Sequence, residues 1–115
     1  MAISNDFLQF ILDQLYLWEG VSAKHMFGGA ALYKNELAFG MIADNQLYFK
    51  VDQLNIEKYI KADSIQLKPF KNHKTVLSFY SVPVDVIEDA STLVEWAKES
   101  YQIQLDRNNN KIRMK

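Results

Sequence analysis

Met26-Phe27-Gly28-Gly29-Ala30-Ala31-Leu32-Tyr33 is the stretch around which the chain is organised, and two further apolar runs follow it directly, Leu37 to Ala43 and Gln46 to Val51. A glycine pair between apolar runs lets backbone approach backbone or bend sharply, because without a Cβ both signs of φ are open. On this reading Lys24 to Lys34 is one first strand, bent where Gly28 and Gly29 interrupt it. In the second run Leu37, Phe39, Met41 and Ala43 alternate with Ala38, Gly40 and Ile42; in the third, Leu47, Phe49 and Val51 alternate with Gln46, Tyr48 and Lys50. Alternation of period two gives each strand one face for a core and one for solvent. Lys34-Asn35-Glu36 and Asp44-Asn45 carry residues that tolerate tight reversal, so the three strands form an antiparallel meander.

Upstream, Ser4 is placed to cap a helix in which Phe7, Leu8, Ile11, Leu12 and Leu15 recur on one face. It should end near Trp18 or Glu19, because Gly20 can adopt the left-handed conformation that closes a helix. Downstream, Asp52 to Ala62 returns to helical period, with Leu54, Ile56, Tyr59 and Ile60 on one face and Asp52 or Asn55 available to cap. Gln66 to Phe70 and Val76 to Val82 make two more extended segments around the polar turn Lys71-Asn72-His73-Lys74, and Pro83 stops the second. Val84 to Ile87 forms a loose turn, after which Asp89 caps a last helix that buries Leu93, Trp96, Ala97 and Tyr101. The resulting order is α-β-β-β-α-β-β-α, an α+β class with an antiparallel sheet for the helices to cover.

Composition bounds what such a domain does. With 115 residues, 49% of them apolar, one core is expected. It spans residues 1–105, and the polar, basic segment 106–115 is read as a disordered tail. Thirteen basic and 14 acidic residues leave a net charge of −1, which denies the chain the overall positive field that drives sequence-independent binding to nucleic acid or anionic membrane. There is no cysteine, and the two histidines, His25 and His73, are not spaced with carboxylates as metal ligands. No metal, cofactor or catalytic residue is expected. The N-terminus lacks the pattern of a signal peptide and no apolar run approaches the roughly 20 residues of a membrane span, so a soluble, cytoplasmic protein without membrane contact is expected.

Several sequence pieces together resemble one family. They are Met26-Phe27-Gly28-Gly29 with Leu32-Tyr33, then Phe39 and Ile42, then Leu47-Tyr48-Phe49-Lys50-Val51-Asp52, Pro69-Phe70, Ser78-Phe79-Tyr80 with Val82-Pro83, and Asp89, Leu93 and Glu95-Trp96-Ala97. From about Ser22 to Tyr101 the chain resembles the N-terminal domain of the TfoX/Sxy family of bacterial competence regulators. The resemblance implies a secretion-chaperone-like, two-layer architecture. It also implies a non-enzymatic role in natural transformation, as a transcriptional coactivator whose protein partner is the cyclic-AMP receptor protein or RNA polymerase. Met26, Phe27, Gly28, Gly29, Leu32, Tyr33, Tyr48, Lys50, Pro83 and Trp96 are its structural or interaction positions here.

Two other readings compete. Lys24, His25, Lys34 and Lys50, with Tyr33 and Tyr48 as stacking groups, form a candidate surface for nucleic acid or a partner, although lysines on strands also simply solvate a face. Gly28-Gly29 forms a candidate cleft for a small molecule, but a phosphate cradle needs a following helix N-terminus and here a strand follows. An antiparallel sheet with an open edge further allows a homodimer.

Overall fold

The computed structural model describes residues 5–26, 29–67 and 78–113. Its elements are α1 (Asn5–Gln14), β1 (Val21–Met26), β2 (Gly29–Lys34), β3 (Leu37–Ala43), β4 (Gln46–Lys50), α2 (Ile56–Lys61), β5 (Phe79–Ser81), α3 (Val84–Ile87) and α4 (Ala90–Arg113). The expectations placed on Ser4, Phe27, Gly28, Pro69-Phe70 and the turn containing His73 lie outside the described residues.

All five strands form one antiparallel sheet in the order β1-β2-β3-β4-β5, so the α+β, two-layer expectation holds. The element order differs from the expected one at its start. The single bent strand is two strands, with Met26 opposite Gly29 and Val21 opposite Lys34 in the register. Gly29 is needed for close approach rather than for a bend, since a Cβ there would overlap the Ile42 carbonyl oxygen of β3.

The next two reversals are tight because four consecutive-pair residues accept positive φ: Asn35 at 50° with Glu36 at 68°, and Asp44 at 52° with Asn45 at 59°. Paired positive φ values are the signature of hairpin turns whose twist matches the flanking strands. Gly20, at φ 86°, turns the chain from the first helix into β1. That helix ends at Gln14, earlier than Trp18, yet Leu15 remains fully buried in the turn that follows.

Beyond α2, the backbone of residues 65–67 runs beside β5, with Leu67 N donating to Phe79 O at 2.8 Å and Ser81 N to Ile65 O at 2.9 Å. This is the described part of the expected second strand pair. The middle helix is shorter than expected, and Leu54 and Ile60 face solvent while Tyr59 is fully buried. The loose turn after Pro83 is the helix α3, whose Val86 and Ile87 enter the core. Asp89 caps α4 as expected: its carboxylate accepts from Thr92 N at 3.3 Å and its carbonyl from Leu93 N at 2.8 Å. That helix continues to Arg113, where a disordered tail was expected.

The core lies between one sheet face and the helices α1 and α4. Leu8, Ile11 and Leu15 meet Ala30, Leu32, Phe39, Ile42, Leu47 and Phe49 from the strands and Leu93, Val94 and Ala97 from α4. Trp18 closes one end, edge-on to Phe39 at 5.1 Å and to Tyr101 at 5.7 Å. Such edge-to-face pairs add about 0.5–1.5 kcal/mol beyond the area they bury.

Candidate functional site

One irregularity in β3 organises the most distinctive polar region. Leu32 pairs with Gly40 but Tyr33 with Ala38, so β3 carries one extra residue, Phe39. A bulge of this kind bends the strand and re-aims a side chain. Phe39, Gly40 and Ile42 are therefore all buried, against the strict alternation expected of this run. The ladder between β3 and β4 runs from Ala43 opposite Gln46 to Gly40 opposite Phe49 and stops there.

Where the ladder stops, side chains take over its hydrogen bonding. Ser100 of α4 donates its hydroxyl to Lys50 O at 2.6 Å, and Gln104 donates Nε2 to Ala38 O at 2.7 Å. Asn55, itself buried, donates Nδ2 to Lys50 O at 3.3 Å and accepts from Asp52 N at 2.9 Å, which pins the exit from β4. Buried carbonyls without such partners would each cost about 1–3 kcal/mol.

The opening is a groove of about 370 Å³ lined by Leu37, Lys50, Gln104, Arg107 and Asn108. Lys50 is only 8% exposed, and its ammonium lies 5.4 Å from the centre of the Phe79 ring. Burial pulls its pKa below the ordinary lysine range, the nearby Arg107 charge adds to this, and Asp52 opposes it.

The remaining motif residues have mainly packing roles. Leu32 is fully buried. Tyr48 is half-buried, and desolvation followed by the Asp44 charge raises its phenol pKa. The Pro83 carbonyl accepts from Val86 N at 3.0 Å and Ile87 N at 3.1 Å, starting α3. Trp96 stands edge-on to Tyr59 at 4.7 Å with the Lys58 ammonium over its ring at 4.4 Å; Lys58 also pairs with Glu99.

The four residues Lys24, His25, Lys34 and Lys50 do not share one surface. Directly opposed residues of an antiparallel pair lie on the same face. Lys24 lies opposite Ala31, whereas His25 lies opposite Ala30, on the face that carries Leu32. Lys34 folds over the Trp18 ring at 5.1 Å and donates to the Glu19 carbonyl. Lys50 sits two strands beyond β2, in the groove. What remains of the expected surface is a shallow hollow of about 440 Å³ lined by Ser22, Ala23, Lys24, Tyr33 and Glu36. Beside it β1 is an edge strand, preceded by Tyr16 and Leu17, which are 79% and 76% exposed.

Sequence reasoning missed Asn55 as a strand-end anchor and Ser100, Gln104 and Arg107 altogether. The signal for the last three is present, since Leu93, Ala97, Ser100, Gln104 and Arg107 continue the spacing of three and four past the expected helix end. Among the described residues no group of three or more His, Asp or Glu is placed to hold a metal ion, and no helix is long and apolar enough to cross a membrane.

A search of curated proteins finds no match. The TfoX N-terminal domain family matches residues 13–103. That span runs from the end of α1 through the meander and into α4, and it contains every motif residue named above; of the groove it takes in Leu37 and Lys50, while Gln104, Arg107 and Asn108 follow it. On a match covering most of its length, the chain belongs to the TfoX N-terminal domain family.

Proposed function

We propose that this domain is a non-enzymatic regulatory module of natural competence, working in the cytoplasm through protein contacts in transcriptional control. The observation that carries this reading is the family match over residues 13–103, which supports a competence-related regulatory domain. The partner proposed is the cyclic-AMP receptor protein or RNA polymerase, as the family resemblance implies. The open edge of β1, with the exposed Tyr16 and Leu17 leading into it, supplies main-chain hydrogen-bonding groups and apolar contact of the kind a protein partner uses.

The test is a pull-down from cells induced for competence, alongside transformation frequency in a strain lacking the gene. Recovery of the receptor protein or polymerase, reduced by Tyr16→Asp with Leu17→Asp, is the expected result. Unchanged transformation in the deletion strain would overturn the reading. Light scattering reports whether the same edge instead pairs two copies of the chain. Titration with short DNA at low and high salt tests the direct nucleic-acid reading, for which steep salt dependence lost in Lys24→Glu would be required.

A further inference from the structure

Lys50 poses a problem that the fold alone does not solve. Its stem is buried and its ammonium lines the groove, partly withdrawn from water, which is costly unless the charge is paired. Among the described residues, no carboxylate lies within ion-pair distance of Lys50 or of Arg107. The Phe79 ring faces the Lys50 ammonium, and Asp52 contributes a field without contact. Arg107, on the same groove, makes matters worse by like-charge repulsion.

The groove's construction explains why no internal acceptor relieves this. The carbonyls exposed by the parting of β3 and β4 are already taken, Lys50 O by Ser100 and Asn55 and Ala38 O by Gln104. The lining thus offers two cations, the amide side chains of Gln104 and Asn108 and one apolar wall, Leu37. At about 370 Å³ it falls within the size range of small-molecule sites.

We propose that this groove, between the parted ends of β3 and β4 and the last turns of α4, binds a small phosphorylated molecule, with Lys50 and Arg107 as its charged ligands. Two cations match a doubly charged phosphate monoester, for which a guanidinium fork and a point-charge ammonium are complementary partners. The inference is independent of the regulatory reading, since a partner-binding surface on β1 requires no anion in this groove.

The experiment is calorimetric and NMR titration of the full chain with inorganic phosphate and with a nucleoside monophosphate, each against chloride at equal ionic strength. Saturable binding is expected, with amide shifts at Lys50 and Arg107, weakened about 10- to 100-fold by Lys50→Met or by Arg107→Gln. Lys50→Met is the folding control, because methionine keeps the packing of the buried stem and removes a charge that has no ion-pair partner, so the melting temperature should stay at or above that of the parent. Phosphate binding no tighter than chloride overturns the proposal, as does undiminished binding in both variants. Binding to a short oligonucleotide without binding to either small phosphate also overturns it.

Discussion

Ser100 donates its hydroxyl to the Lys50 carbonyl at 2.6 Å across fifty positions of sequence, and both residues are buried. The bond replaces a strand-to-strand hydrogen bond that the parting of β3 from β4 has removed. Ser100→Ala should therefore cost about 1–2 kcal/mol, read as a lower urea midpoint at unchanged slope. An unshifted midpoint would mean that Asn55 alone satisfies this carbonyl.

Gly29 is expected to tolerate no side chain. A Cβ would meet the Ile42 carbonyl, a backbone atom that cannot move without breaking the pairing of β2 with β3. Gly29→Ala should destabilise by about 2–3 kcal/mol in thermal melts. A variant melting within a degree of the parent would contradict the close approach.

Tyr59 is fully buried, and its hydroxyl has no hydrogen-bond partner among the described residues. Burial drives its pKa well above the ordinary phenol range; the Ser100 hydroxyl, close by but donating to the Lys50 carbonyl and outside hydrogen-bond geometry with the phenol, acts in the opposite direction, and Glu99 adds a smaller rise. The unfolded chain's tyrosine loses its proton near pH 10, whereas the folded one keeps it, so this residue makes stability fall as pH rises beyond about 10. Tyr59→Phe should be neutral or stabilising by up to about 1 kcal/mol at pH 7, and should move the alkaline limb of a stability–pH profile upward. A variant more than about 1 kcal/mol less stable at pH 7 would show that the hydroxyl has a partner.

Glu36 holds φ 68° in the second place of its two-residue turn, a position that favours glycine. Glu36→Gly should raise stability by about 0.5–1 kcal/mol, the relief of left-handed backbone outweighing the added chain entropy. Differential scanning calorimetry checks this, and a lowered melting temperature would refute it.

Much of this architecture is legible in residue order. Asn35-Glu36 and Asp44-Asn45 announce hairpins, Asp89 announces a helix start, and the Leu47-to-Val51 alternation predicts which side of β4 is buried up to Phe49. These succeed because turn chemistry, capping and period are local. The errors have equally physical causes. The run through Gly28-Gly29 reads as one bent strand because pairing of β1 with β2 is a contact, not a pattern. Phe39 breaks the alternation because a bulge is set by the neighbouring strand's register. The polar segment after Leu105 reads as frayed on propensity alone, yet Gln104, anchored to the Ala38 carbonyl one position earlier, ties this part of α4 to the sheet.

By itself the sequence determined the α+β class, the meander with its two tight turns, the capped last helix and the family, since each rests on residue type at fixed spacing. Only the tertiary structure decided where the charges go. It scattered Lys24, His25 and Lys34, and it carried Lys50 into a groove with an arginine more than fifty residues away in sequence. The reason is that a strand's register and a bulge act on every residue beyond them, so the location of a site depends on pairings that no local stretch encodes.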